Sequence, residues 1–150
     1  MMNLQILLAS LDEKSAIEEL LSLNHLSTQN ILERNTIYFV AKMNNSEIVG
    51  VVGLEMDGKY ALLRSASVHP KEKNRGIGRL LITELINYSK SIGINVIYLF
   101  STGAGGYWKK FGFQKVETSE VEKALPNTYQ VDEYVTKGSM PHEIAWRKDL

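Results

Sequence analysis

The stretch Ser67-Val68-His69-Pro70-Lys71-Glu72-Lys73-Asn74-Arg75-Gly76-Ile77-Gly78-Arg79-Leu80-Leu81 decides how the rest of the chain is read. Strand-type residues run up to Val68, a basic glycine-bearing loop follows Pro70, and an amphipathic helix opens directly after it. The first N–H groups of a helix lack intrahelical partners, and with the helix dipole behind them they form an anion site. Gly76 and Gly78 let the backbone approach a pyrophosphate with no side chain in the way. Lys73, Arg75 and Arg79 put positive charge on the same loop. A lone Gly-x-Gly fits an ordinary turn before a helix equally well. The stretch is not a Rossmann fingerprint, which needs a third glycine and an early βαβ context, nor a Walker loop, which ends in Gly-Lys-Ser/Thr.

Forward from the loop, the spacing predicts a helix over Ile77–Ile92 with Ile77, Leu80, Leu81, Leu85 and Tyr88 as its apolar stripe. Gly93 ends it as a left-handed cap, with Ile94 placed for the accompanying hydrophobic contact. Asn95–Ser101 is a nearly continuous apolar run, as in a strand covered on both faces. Backward, Thr36–Met43, Glu47–Met56 and Lys59–Val68 read as an antiparallel meander. Its joins are Asn44-Asn45-Ser46 and Asp57-Gly58, the latter a hairpin turn whose two centres both tolerate positive φ. Gly50 and Gly53 in the middle strand mark places where something packs close to the backbone. Leu4–Leu8 reads as an edge strand and Glu13–Asn24 as a helix carrying Ile17, Leu20, Leu21 and Asn24 on one face. A second short helix is expected over Thr28–Arg34, capped by Ser27 or Thr28. Beyond the central strand come a short helix Gly105–Phe111, a strand Phe113–Val116, a helical turn Val121–Leu125 and a closing strand Ile144–Lys148. The order is that of an α+β chain with one mixed sheet covered by helices.

Composition narrows the function. The 150 residues fit one domain, carry 17 basic and 17 acidic side chains, and so have no net charge. That balance argues against a nucleic-acid or anionic-membrane surface. No apolar run reaches the roughly 18 residues of a spanning helix. Met1–Ser10 has no basic residue ahead of its apolar stretch, so a signal peptide is not expected and the cytoplasm is the expected compartment. The absence of cysteine removes disulfides, thiolate metal sites and a cysteine nucleophile. His25, His69 and His142 form no pair with metal-ligand spacing, and no metal is expected.

Lys73-Asn74-Arg75-Gly76-Ile77-Gly78, following Val68-His69-Pro70, resembles motif A of the GCN5-related N-acetyltransferases, with Lys73 a conservative departure at the first position. Downstream, Tyr107-Trp108-Lys109-Lys110-Phe111-Gly112-Phe113 resembles motif B of the same family. The likeness covers essentially the whole chain, as a single acetyltransferase domain over 1–150. It implies a three-layer α/β/α fold whose mostly antiparallel mixed sheet has a V-shaped split between the fourth and fifth strands. By this resemblance acetyl-CoA is the co-substrate. Backbone groups of Ala66, Ser67 and Val68 pair with pantetheine, and the amides from Lys73 through Asn74, Arg75, Gly76 and Ile77 to Gly78 hold the pyrophosphate. Arg79 either touches a phosphate or faces water. An N–H near Ser67 or Val68 would receive the thioester carbonyl oxygen, following oxyanion-hole logic.

The acid and base depart from the family pattern. The usual proton-donating tyrosine falls at Trp108, whose indole is no useful acid. Tyr107 is adjacent but about 100° away around a helix. It is either a substitute donor or a packing aromatic. A common glutamate base falls at Arg64, which cannot act as one. Glu55, on the neighbouring strand, is the remaining base candidate, against a reading as a solvated hairpin charge. Arg64 within an apolar strand must meet an anion: either a substrate carboxylate, clamped bidentately, or an internal acidic side chain. The stretch Ala61–Ser65 is similar to the amino-acid N-acetyltransferase branch, including arsenic-operon enzymes, which implies an amino-acid-like amine as acceptor. Acetylation of a protein N-terminus or lysine, and a non-catalytic acyl-CoA sensor, are the competing readings. Thr118–Met140 stays open between an acceptor-pocket lining, a homodimer contact and a surface loop.

Overall fold

The computed structural model describes residues 3–44, 47–103 and 105–150. Its strands are β1 (Leu4–Leu8), β2 (Thr36–Met43), β3 (Glu47–Asp57), β4 (Tyr60–Val68), β5 (Val96–Phe100), β6 (Gln114–Val116) and β7 (Ala145–Asp149). Its helices are α1 (Lys14–Leu23), α2 (Ile77–Ser91), α3 (Gly105–Lys109), α4 (Thr118–Ala124) and α5 (Tyr129–Lys137). Among the described residues the strands form one sheet in the order β1-β2-β3-β4-β5-β7-β6, mixed because β4 and β5 run parallel. The chain divides into two compact units, Met1–Leu54 with Ser65–Ser89, and Glu55–Arg64 with Lys90–Leu150.

In the first unit, Ile17, Leu20 and Leu21 of α1 are buried against Ile31, Tyr38, Val40 and Val51, the face that the sequence spacing predicts. The expected helix over Thr28–Arg34 is absent. Asn30 and Leu32 sit in the left-handed region at φ +57° and +56°, which breaks a right-handed helix, and Ile31 drops into the core between them. The middle strand's glycines accommodate close neighbours, as expected. A Cβ on Gly53 would lie 2.6 Å from the Tyr38 ring, and one on Gly50 would lie 2.9 Å from Leu81 and 3.0 Å from Ile77 of α2. The buried face of α2 is Ile77, Leu81, Ile82, Leu85, Ile86 and Ser89. Leu80, expected in the stripe, is exposed, because the helix turns its side chain away from the face that Leu81 and Leu85 share. Gly93 takes the left-handed cap at φ +87° and Ile94 is buried.

The turn after β3 is shifted by one residue from the expected centres. Asp57 ends the strand, Gly58 and Lys59 turn, and of these only Gly58 has positive φ, at +62°. The Asn45-Ser46 part of the other join lies outside the described residues.

In the second unit, β4 and β5 pair through Tyr60–Val96, Ala61–Ile97 and Leu62–Tyr98. Strand β4 then continues six residues to Val68. Strand β7 inserts antiparallel between β5 and β6, with Phe100 and Val116 both opposite Ala145. Thr118–Met140, whose role the sequence leaves open, holds α4, which overlaps the helical turn expected over Val121–Leu125, and α5, which was not expected. Their Val121, Leu125 and Val131 are buried with Leu62, Val96, Tyr98, Met140 and Ala145. The phenol of Tyr98 donates to Glu120 at 2.8 Å, and Arg147 donates to the same carboxylate at 2.8 Å, tying α4 to β5 and β7.

Candidate functional site

The loop between β4 and α2 is built by backbone conformation. Asn74 and Gly76 take φ +66° and +82°, and α2 begins at Ile77, whose side chain is buried. Lys73 before them is extended, and the free N–H groups of a helix start reached through such a turn can receive an anion. A Cβ on Gly76 would have nothing within 4 Å, so the surface over the turn is open. Lys73, Arg75 and Arg79 are all exposed. Arg75 is turned back onto Glu72 at 2.5 Å, while Lys73 and Arg79 join no ion pair among the described residues. His69 braces the loop from the strand side. Its Nδ1 accepts from the Lys71 N–H at 3.1 Å, and its own N–H donates to the Val49 carbonyl at 2.7 Å.

Strand β4 changes character at Ser65. Ala61 to Arg64 are buried in succession, whereas Ser65 has φ +60° and Ala66 is exposed. A left-handed non-glycine residue inside a strand is a bulge that re-aims the residues after it. Ser65 Oγ and the Tyr38 hydroxyl share a hydrogen bond of 2.9 Å. Ser67 is buried, and the Asn24 side-chain amide donates to its hydroxyl and to the Val68 carbonyl, the latter at 3.0 Å. Asn24, the polar residue ending the α1 stripe, thus pins the end of β4. The sequence marked neither it nor Ser65 as a site residue, and the break in the α1 apolar pattern was the only signal.

Arg64 and Glu55 lie side by side in the second unit. Both side chains are 3% exposed, with Arg64 Nη1 3.4 Å from Glu55 Oε2. The Glu55 carboxylate also accepts from the backbone N–H groups of Tyr129 at 2.6 Å and Gln130 at 3.1 Å, the first turn of α5. Thr128 precedes that helix, but its hydroxyl donates to Leu125 at 2.9 Å instead of capping. Glu55 therefore serves as a cap supplied from a distant strand. It is not the solvated hairpin charge that its place near the β3–β4 turn suggested, and both of its oxygens are engaged. Of the two partners open to Arg64, the structure shows the internal acid.

On α3, Tyr107 is partly exposed, its ring 5.2 Å from those of Trp108 and Phe111. Burial pushes its phenol above the usual range, so it stays protonated at neutral pH. Trp108 is buried against Phe111 and Phe113, and its indole N–H has no acceptor among the described residues. Among the described residues no cluster of three or more His, Asp or Glu could hold a metal ion, and no helix is long and apolar enough to cross a membrane.

Against known proteins, an uncharacterized N-acetyltransferase of Chlorobaculum tepidum is 28% identical over 92 residues, which is 61% of this chain and 58% of that one. An amino-acid acetyltransferase of Neisseria meningitidis is 29% identical over 126 residues, 83% of this chain and 26% of that one. The chain thus spans just over half the length of one curated relative and about a quarter of the other. In three dimensions it is similar to N-acetylglutamate synthase from Neisseria gonorrhoeae, solved with coenzyme A and N-acetyl-glutamate. The TM-score is 0.75 at 20% identity, over 98% of this chain and 35% of that one. Residues 5–113 match the acetyltransferase (GNAT) family, and the chain belongs to it.

Proposed function

We propose that the chain is an acetyl-CoA-dependent N-acetyltransferase acting on the primary amine of a small molecule, an amino acid or analogue, by direct transfer in a ternary complex. The observation that carries the reading is the loop from Lys73 to Gly78, with left-handed Asn74 and Gly76, an open surface and the start of α2 behind it. Those amides, with Lys73 and Arg79, would hold the donor's phosphates. Ala66, Ser67 and Val68 offer backbone groups to pantetheine just past the bulge, with the Val68 carbonyl already taken by Asn24. An N–H there would receive the thioester carbonyl oxygen. The donor supplies an activated acetyl group, and the sequence has no cysteine to carry it, so the amine attacks directly. Tyr107, protonated and partly exposed, is the candidate to protonate the leaving thiolate. Arg64 and Glu55 serve this reading as the anchor of α5, and any base work falls to water or another side chain.

The amino-acid class of acceptor is supported by the named activities of the two Neisseria relatives. With the reading goes a single domain in the cytoplasm, alone or as a homodimer. The test is thiol release from acetyl-CoA with a panel of amino acids, polyamines and short peptides. The sequence contains no cysteine, so a thiol reagent sees product alone. Release with an amino acid is the expected result. Release only with peptides would move the reading to a protein acetyltransferase, and acetyl-CoA binding without turnover across the panel would make the chain a sensor.

A further inference from the structure

The end of β4 carries a side chain with one hydrogen-bonding function unspent. Asn24 closes α1, where its backbone N–H donates to the carbonyls of Leu21 and Ser22. Ile17, Leu20 and Leu21 seat that helix in the core of the first unit. From this fixed point the Asn24 side-chain amide reaches the Val68 carbonyl at 3.0 Å and the Ser67 hydroxyl. A carbonyl can only accept, so the Asn24 atom that faces Val68 is the amide nitrogen. One of its hydrogens goes to Val68 and the other to Ser67, and the Ser67 oxygen is the acceptor of that bond. The hydroxyl's own hydrogen is therefore turned away from Asn24. Among the described residues it meets no acceptor.

The surroundings leave that hydrogen for a ligand. Ser67 is only 8% exposed, but Ala66 before it is exposed and Val68 after it half-buried. The register of β4 on β5 ends at Leu62, well before Ser67. Left-handed Ser65, bonded to the Tyr38 hydroxyl at 2.9 Å, re-aims the stretch that follows. Asn24, Tyr38, Ser65, Ser67 and the loop from Lys73 to Gly78 all belong to the first unit. A donor that a neighbour has already oriented, in a place with little water, bonds more strongly than one free to rotate in solvent. The acceptors that an acylated pantetheine arm carries along its length are carbonyl oxygens.

We propose that the Ser67 hydroxyl donates to a carbonyl oxygen of the acyl-pantetheine arm, and that Asn24 is the positioning residue that aims it. The proposal rests on the acetyl-transfer reading above and adds a side chain where that reading uses backbone groups alone. The carbonyl belongs either to the thioester or to a pantetheine amide, and coenzyme A lacks the first. The experiment is calorimetric titration of the parent, Ser67→Ala, Asn24→Asp and the double variant. The ligands are acetyl-CoA, coenzyme A and 3′-phospho-ADP, the nucleotide half of coenzyme A. Ser67→Ala weakens acetyl-CoA by about fivefold, the worth of one neutral hydrogen bond, and leaves 3′-phospho-ADP unchanged. An equal loss for coenzyme A assigns the bond to a pantetheine amide, and a spared coenzyme A assigns it to the thioester. Asn24→Asp keeps the serine but offers it an acceptor, so the hydroxyl hydrogen turns inward. Acetyl-CoA then weakens at least as much, and adding Ser67→Ala costs nothing further. The proposal falls if Ser67→Ala leaves acetyl-CoA affinity unchanged, if 3′-phospho-ADP weakens along with it, or if the effects of the two substitutions multiply. A parent that does not bind acetyl-CoA defeats the donor-site reading itself, and the proposal with it.

Discussion

Two regions of this chain handle charge in opposite ways. The loop from Lys73 to Gly78 turns its backbone through left-handed φ at Asn74 and Gly76, with the side chains of Lys73, Asn74 and Arg75 exposed and only Ile77 buried. The Glu55–Arg64 pair is made of side chains, is almost fully buried, and holds the first turn of α5 through two backbone donors. Buried charges are costly unless paired, so the second region commits its polar groups to one another and to the fold. Free amides at a helix start remain available for a ligand. Damage to the first should therefore appear in binding, and damage to the second in stability.

The largest expected effect is that of Glu55→Ala. It strips Arg64 of this carboxylate and leaves the N–H groups of Tyr129 and Gln130 without their acceptor. Breaking a buried pair costs about 3–5 kcal/mol, which in a chain of this size is a fall in Tm of about 6–20 °C. Thermal unfolding followed by circular dichroism measures it. Glu55→Gln keeps an acceptor for the helix and should fall between the two. A loss below about 1 kcal/mol for the alanine variant would mean that the pair does not hold α5.

Gly76→Val should reverse the pattern. The new Cβ meets nothing within 4 Å, so its cost is the strained φ of +82°, about 1–3 kcal/mol. Coenzyme A affinity should nevertheless drop by about 100-fold, which is about 2.7 kcal/mol of binding, because the turned amides lose their geometry. Unchanged affinity by calorimetry would put the phosphate site elsewhere and collapse the contrast between the regions.

The same contrast explains what could be read in the sequence. A backbone site announces itself locally: Gly76, Gly78 and the basic residues between Lys73 and Arg79 are neighbours in the chain, so spacing alone marked the loop. The Glu55 cap joins residues 74 and 75 positions apart, and no local pattern carries such a contact. It also hid α5, because Thr128 spends its hydroxyl on Leu125 and the true cap lies on β3. The false helix over Thr28–Arg34 is the converse. Ser27 or Thr28 offered a cap, and Ser27 does accept from the Gln29 N–H, but left-handed Asn30 and Leu32 end any helical path. Ser65 shows a third kind of failure. Serine has no special tolerance for φ near +60°, so the bulge belongs to its surroundings, the Tyr38 hydroxyl among them.

Gly50→Ala probes how stiffly the loop is backed. The added methyl would stand 2.9 Å from Leu81 and 3.0 Å from Ile77, both on side-chain ends, with the Ser67 carbonyl at 3.4 Å. Overpacking of this kind costs about 1–3 kcal/mol. Because Ile77 follows Gly76 directly, a shifted α2 should also weaken coenzyme A a few-fold. A stability loss with no change in affinity would mean that the amides keep their positions independently of the helix seating.

The smallest effect belongs to an exposed charge network in the second unit. The hydrogen bonds that Glu120 accepts from Arg147 and Tyr98 hold its carboxyl below the usual range. A lowered native pKa gives stability that is present above the unfolded value of about 4.3 and is lost as pH falls through the native one. Solvent screening at this partly exposed site limits it to under about 1 kcal/mol. Glu120→Gln should thus be slightly less stable than the parent at pH 7, and the difference should shrink toward zero as the pH falls through the lowered native pKa and the parent carboxyl is protonated too. A difference that persists undiminished in acid would show that the glutamine disturbs the packing of α4 on Tyr98, in which case the network acts through shape and not through charge.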